Sequence, residues 1–249
     1  MKQSQPSDIK MSPPLFSEKT EALVSILQRQ SKLRLQKTLQ VSAAIAKLNY
    51  ERYQSWRSSE KRAALWMYSG DVYNGLDAYS LPSKQKNYAQ ENVVIISGLY
   101  GLLRPLDAIQ PYRLEMKLPI KIGRTSTLYA YWQNEIKEYF EKKKTNTILL
   151  CASKEYAKAV TGSLPASTKT ITPRFMQETS RGLVEKGLFA KYARGALARY
   201  AIENEINKPS ALKKYNKDGF TFSENLSTEQ EYVYIIPNDF TLKGRFIKR

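Results

Sequence analysis

The sequence predicts a mixed α/β (α+β) fold, a single domain with a central sheet flanked by helices, and three stretches carry that prediction. Residues 93–97, Val93-Val94-Ile95-Ile96-Ser97, are a short apolar run rich in β-branched side chains, as a buried strand requires. Residues 148–152, Ile148-Leu149-Leu150-Cys151-Ala152, read as a second strand. Between them, the segment 128–143 places Tyr129, Trp132, Ile136 and Phe140 on one helical face, and strand, helix, strand suggests a layered core. A chain of 249 residues with 42% hydrophobic content can bury such a core as one domain.

The remaining elements follow in order. Residues 1–20 are polar and hold Pro6, Pro13 and Pro14, so they are expected to form an extended arm ahead of a domain spanning 21–249. From Glu21 onward, Leu23, Val24, Ile26 and Leu27, then Leu35, Leu39, Ala43 and Leu48, recur at spacings near three and four. That spacing predicts two amphipathic helices joined by the basic connection 29–34, the second running on to Tyr53: a helix–hairpin–helix element. A third helix is expected over 61–66, and the glycines bounding 69–76 suit tight turns. Residues 191–206 read as a long helix that Lys208-Pro209 ends, with Ala193, Leu197, Tyr200, Ala201 and Ile202 toward the core. Phe220 and Phe222, then Tyr232, Tyr234 and Ile236, alternate as a C-terminal hairpin would. The basic run 243–249 reads as a solvated tail.

Charge and residue usage bound the function. Forty Lys and Arg against 23 Asp and Glu give a formal charge of +17, the electrostatic footprint of a partner for a polyanion. The cations are spread through folded-looking segments and form no single amphipathic arm, so nucleic acid is favoured over a membrane surface. No stretch reaches the roughly 18–20 consecutive apolar residues of a membrane span, and the opening MKQSQPSDIKMSPP lacks a signal peptide's apolar middle, so a cytoplasmic location is expected. With no histidine, Ser-His-Asp and Cys-His catalysis and His-containing zinc sites are excluded. The single cysteine, Cys151, excludes an intramolecular disulfide and reads as a small buried hydrophobe. No metal and no cofactor are expected.

The informative block is Ser97-Gly98-Leu99-Tyr100-Gly101-Leu102-Leu103-Arg104-Pro105-Leu106-Asp107-Ala108-Ile109-Gln110-Pro111-Tyr112-Arg113-Leu114-Glu115-Met116, directly after the predicted strand. Gly98 and Gly101 permit backbone angles that turn successive N–H groups toward an anion, and Arg104 and Arg113 suit phosphate or carboxylate. Loops after a strand's carboxyl end are also where α/β proteins tend to hold ligands. An equally concrete alternative is a scaffold, with Gly98 and Gly101 making a turn that the pairs Arg104–Asp107 and Arg113–Glu115 brace.

This block resembles a signature of the YaaA peroxide-stress-resistance family, and Ser69-Gly70-Asp71-Val72-Tyr73-Asn74-Gly75-Leu76 resembles its second signature. Lesser similarities run through Lys154-Glu155-Tyr156, the stretch from Phe189 to Gly195, Ile202-Glu203-Asn204 and Gly219-Phe220-Thr221-Phe222, so the likeness covers about residues 20–236. It implies one α/β domain of an uncommon family fold with a basic cleft, a helix–hairpin–helix element, DNA binding and a role in limiting peroxide and iron damage. Members of that family usually open with a short apolar strand leading into a Ser-Pro-Ala-Lys-type segment. Neither Met1-Lys2-Gln3 nor Ser12-Pro13-Pro14 matches it, so the strand is expected to be absent or the chain shortened.

The expected partner is double-stranded or structured DNA, held through phosphates with weak sequence specificity and with no obligate protein partner. Lys32, Arg34 and Lys37 at the hairpin, Arg104 and Arg113 in the block, and Lys191 and Arg194 on the long helix are the candidate contacts. Gly98, Tyr100, Gly101, Arg104, Asp107, Tyr112, Arg113 and Glu115 make up the candidate signature pocket. The alternative is an enzyme acting on a nucleotide or nucleobase. There Asp107 or Glu115 is the general acid/base, Arg104, Arg113 and Lys154 hold an anion, and Tyr73, Tyr100 and Tyr112 stack a base.

Overall fold

A computed structural model of the protein describes residues 9–237, so the expected tail at 243–249 and the first residues of the arm lie outside the described residues. The architecture is mixed α/β. In chain order the first elements are α1 (Ser17–Gln28), α2 (Lys32–Leu39), α3 (Ala43–Gln54), β1 (Arg62–Ala63), α4 (Ala64–Met67), α5 (Asp71–Leu76) and α6 (Ser83–Asn92). Then come β2 (Ile95–Ser97), β3 (Gly101–Leu103), β4 (Ala108–Ile109), α7 (Leu128–Lys143), β5 (Thr147–Leu149) and α8 (Lys154–Thr161). The last are β6 (Lys169–Thr179), β7 (Gly182–Val184), α9 (Gly187–Glu203), β8 (Thr221–Phe222) and β9 (Glu231–Ile236). Two compact units result, each assembled from three separate stretches of chain.

The first unit comprises the chain up to Tyr68, Lys86–Thr145 and Ala152–Ala166. Its N-terminal helices bury Leu23, Leu27, Leu35, Leu39 and Tyr53. Where two helices are expected there are three. The apolar spacing continues across residues 40–42, but Gln40 takes a left-handed conformation (φ 52°) and Ser42 caps a new helix, its Oγ accepting from the Ile45 amide. Lys32, Leu33 and Arg34, expected in the connection, form the first turn of α2 behind the Ser31 cap. The arm ends at Ser17, where α1 begins, and Ser12 bridges to Asp107 alongside β4. In place of a helix at 61–66 the chain makes β1, paired antiparallel with β4, and then the single turn α4. Strand β2 pairs antiparallel with β3, so strand, helix and strand do not form one crossover: β5 lies in a different sheet. Helix α7 has the expected bounds and buries Trp132, Ile136 and Phe140.

The second unit comprises Ser69–Gln85, Asn146–Cys151 and the chain from Ser167. Its sheet has the order β5-β6-β9-β8, with β7 also on β6. Strands β5 and β9 run parallel to β6, while β8 and β9 form the expected C-terminal hairpin, Phe222 opposite Tyr234. Helix α9 buries Ala193, Leu197 and Ile202 as expected. The segment 69–76 is a helix with Gly70 at its cap, not a pair of turns. Gly75 and Gly195 are the contact points of α5 and α9: a Cβ on Gly75 would collide with the Tyr192 carbonyl oxygen, and one on Gly195 with that of Val72. No helix among the described residues is long and apolar enough to cross a membrane.

Candidate nucleic-acid interface

The hairpin is expected across 29–34, which in the structure is the junction of α1 and α2; the cations named for it stand instead on α2, in the hairpin that α2 makes with α3, and face solvent there. Lys32, Arg34 and Lys37 are exposed, and α2 contains no acidic residue. The whole stretch 22–50 carries Arg29, Lys32, Arg34, Lys37 and Lys47 and no Asp or Glu. Among the described residues none of these five pairs with a carboxylate, and Lys32 sits with its ammonium 5.3 Å from the Tyr50 ring centroid. Two serine-capped helix N-termini, those of α2 and α3, lie within this hairpin, and the positive ends of their dipoles with the unopposed cations favour an anion. Arg29 and Lys47 were not among the sequence candidates; a local count of acids finds them where the whole-chain charge does not.

The hairpin is tied at its base to the glycine-rich block of the same unit. The Tyr53 hydroxyl donates to the Arg113 carbonyl oxygen at 3.0 Å, and Gln110 Nε2 donates to the Trp56 carbonyl oxygen at 2.9 Å. Much of the block is interior. Gly98 is pressed against Leu114, where a Cβ would collide with the carbonyl oxygen, and Gly101 (φ 70°) leaves room for Trp132. Asp107 is fully buried, and its carboxylate accepts from Ser12 Oγ (2.8 Å), the Arg104 amide (2.8 Å), Arg104 Nε (3.1 Å) and Arg104 Nη2 (2.8 Å). Arg104 Nη2 also donates to the Pro13 carbonyl oxygen at 3.0 Å. These bonds are the bracing pairs of the scaffold alternative, and they commit Asp107 and much of the Arg104 guanidinium within the fold.

Tyr100 and Tyr112 are buried, so neither ring presents a face on which a base can stack. The Tyr100 hydroxyl donates to Gln110 Oε1 at 3.2 Å. That of Tyr112 lies 2.6 Å from Ser97 Oγ and 2.7 Å from the Tyr68 hydroxyl, and burial pushes Tyr112 up to about 12. Arg113 and Glu115 do reach the surface, where their side chains pair. Lys117 adds its ammonium 3.5 Å from Glu115 and 3.9 Å from Glu155, and its amide donates to Glu155 Oε1 at 3.3 Å, so this rim brings together residues 113–117 and the start of α8.

The other candidates belong to the second unit. Lys191 is exposed on α9, whereas Arg194 is partly buried and donates through Nε to the Ala190 carbonyl oxygen at 3.2 Å. Arg199 is structural: it pairs with Glu203 (2.7 Å) and donates to the Leu76, Asp77 and Ser80 carbonyl oxygens at 3.2, 2.7 and 3.3 Å, closing the end of α5. Cys151 is half-buried where a buried cysteine is expected; desolvation of its thiol raises it to about 12, which favours the protonated form near neutral pH, although Arg194 pulls the other way. Among the described residues no group of three or more His, Cys, Asp or Glu is placed to hold a metal ion.

The sequence model of the family described as peroxide stress protein YaaA matches residues 1–226. The chain is 37% identical over 230 residues to a UPF0246 protein of Crocosphaera subtropica, covering 91% of this chain and 92% of that protein. It is 38% identical over 238 residues to a UPF0246 protein of Phenylobacterium zucineum, with 93% and 89% covered. A UPF0246 protein of Burkholderia orbicola is 38% identical over 231 residues, with 89% and 88% covered.

Proposed function

Since the chain belongs to the peroxide stress protein YaaA (UPF0246) family, we propose that it is a DNA-binding protein of the peroxide stress response, holding DNA by its phosphates at the α2–α3 hairpin. One observation carries the reading: Lys32, Arg34 and Lys37 are exposed on a helix without acids, inside a stretch without acids, and among the described residues no carboxylate neutralises them. Phosphate contacts position a protein on DNA without reading bases, so duplex or structured DNA is bound with weak sequence specificity. Lys47 extends the strip, and Arg113 contributes from the rim of the block. Arg104 acts on DNA only indirectly, by bracing the block that anchors Tyr53. Lys191 and, more weakly, Arg194 offer phosphate contacts of the second unit's own. DNA in the cytoplasm is the partner, and neither a membrane nor an obligate protein partner is needed.

The test is fluorescence anisotropy with labelled duplex across a salt series. The wild type binds with an affinity that falls steeply as salt rises, by about 0.9 logarithmic units per phosphate contact. Lys32→Ala/Arg34→Ala/Lys37→Ala binds more weakly, and its salt slope is shallower by about 2 to 3. Absence of wild-type binding at low salt, or an unchanged slope in the triple variant, overturns the reading.

A further inference from the structure

All three tryptophans, Trp56, Trp66 and Trp132, lie in the first unit, and one of them belongs to an unbroken file of oxidisable rings. Tyr53 and Trp56 have centroids 6.2 Å apart, Trp56 and Tyr100 6.2 Å, Tyr100 and Tyr112 5.6 Å, and Tyr112 and Tyr68 6.3 Å. No phenylalanine interrupts the file. That matters because tyrosine and tryptophan give up one electron far more readily than phenylalanine, and transfer between rings decays steeply with distance.

Two further features give the file a direction. Tyr53, Trp56, Tyr100 and Tyr112 are buried, whereas Tyr68 is only partly so, which leaves one exit. Each ring also has a hydrogen-bond partner at its polar atom: the Arg113 carbonyl for Tyr53, the Glu21 carboxylate for Trp56 at 3.0 Å, Gln110 for Tyr100, and the Ser97–Tyr112–Tyr68 hydroxyls for the last two. The Glu21 charge beside the indole favours a positive hole there. The second unit offers a contrast. Tyr200, Tyr215 and Tyr234 also touch, with centroids 5.5 Å apart, but no tryptophan joins them and among the described residues the buried Tyr215 hydroxyl has no partner to take its proton.

We propose that Tyr53, Trp56, Tyr100, Tyr112 and Tyr68 form a radical conduit that discharges an oxidising equivalent from the interior of this unit at Tyr68. A one-electron oxidant of the hydroxyl-radical class at the surface beside the exposed Glu21 takes an electron from the buried Trp56 through that contact and becomes hydroxide. An electron from Tyr68 refills that ring through Tyr112. Tyr68 then releases its phenolic proton to water, which neutralises the hydroxide, and remains as a neutral phenoxyl to which the Tyr112 O–H donates. A soluble one-electron donor of the ascorbate class supplies an electron, a proton returns from water, and Tyr68 is restored.

The test is flash photoionisation of tryptophan under an electron scavenger, with a nitroso spin trap and tandem mass spectrometry to locate adducts. A Trp66→Phe background is used so that the indole two residues before Tyr68 in the chain does not feed it directly; this substitution also removes a buried indole N–H that has no partner among the described residues. In that background the adduct concentrates at Tyr68. Trp56→Phe and Tyr100→Phe each lower the Tyr68 adduct several-fold, and Trp132→Phe, whose ring packs on Phe16 and Tyr131, leaves it unchanged. Every substitution keeps a ring in place, and circular dichroism checks folding. If Trp56→Phe fails to fold, Tyr100→Phe, which loses only a hydroxyl, decides alone. A Tyr68 adduct undiminished in the variants means direct attack from solvent and overturns the proposal. So does an adduct spread over exposed tyrosines such as Tyr79 in place of Tyr68.

Discussion

The Tyr53 hydroxyl donates to the Arg113 carbonyl oxygen at 3.0 Å, joining helix α3 to the backbone of the glycine-rich block. Tyr53→Phe keeps the buried ring and removes only this bond, which costs about 1 kcal/mol. The urea midpoint is expected to fall with the slope unchanged. DNA affinity should drop less than in the triple hairpin variant, because the cations remain.

Asp107 accepts four hydrogen bonds in a fully buried site, so its removal is a folding defect before anything else. Asp107→Ala strands the Arg104 guanidinium beside the arm and costs about 3 kcal/mol, the lower end of what breaking a buried pair costs, since Arg104 is partly solvated. Asp107→Asn should fall between this variant and wild type. Equal thermal midpoints for Asp107→Ala and wild type would contradict the bracing role.

Gly195→Ala sets two effects against each other. Alanine in a helix is normally favoured over glycine by about 1 kcal/mol. Here its Cβ would meet the backbone of Val72, which no rotamer change relieves, so the helices must separate. The collision wins, and a net loss of about 3 kcal/mol is expected in calorimetry, in line with other overpacked sites.

The buried tyrosines set an alkaline limit. Burial raises Tyr112 from 10.0 to about 12, and raises Tyr53 and Tyr100 as well. A phenol whose folded-state value lies above its unfolded one adds stability that is fully present below the unfolded value and is lost as pH rises toward the folded one. Stability should therefore be flat from neutral pH to about 10 and decline between about 10 and 12. Tyrosinate absorbance and circular dichroism, followed together, check that ionisation accompanies unfolding; full ionisation of a still-folded chain would contradict it.

Signals contained in one segment were legible in the sequence. The bounds of α7 match because the apolar period, the Thr127 cap and the left-handed Lys144 all lie within it. The break at Gln40 was hidden because Leu35, Leu39 and Ala43 keep their spacing of four across it. Gly75 looked like a turn residue because the reason for a glycine there sits on α9, far along the chain. At the site, the pairs Arg104–Asp107 and Arg113–Glu115 could be read from their spacing, whereas the Ser12 clamp and the Tyr53–Arg113 bond depend on which strands and helices meet.

Because α5 packs on α9, the helix carrying Gly75 leaves the ribosome long before its partner exists. At ordinary translation speeds that delay is on the order of ten seconds. Throughout it, the face of α5 that carries Gly75 has no α9 to pack against, and β5 waits more briefly for β6. The second unit is therefore a late assembly, exposed during synthesis to aggregation and to chaperones, and a prematurely terminated product lacking α9 leaves that face open.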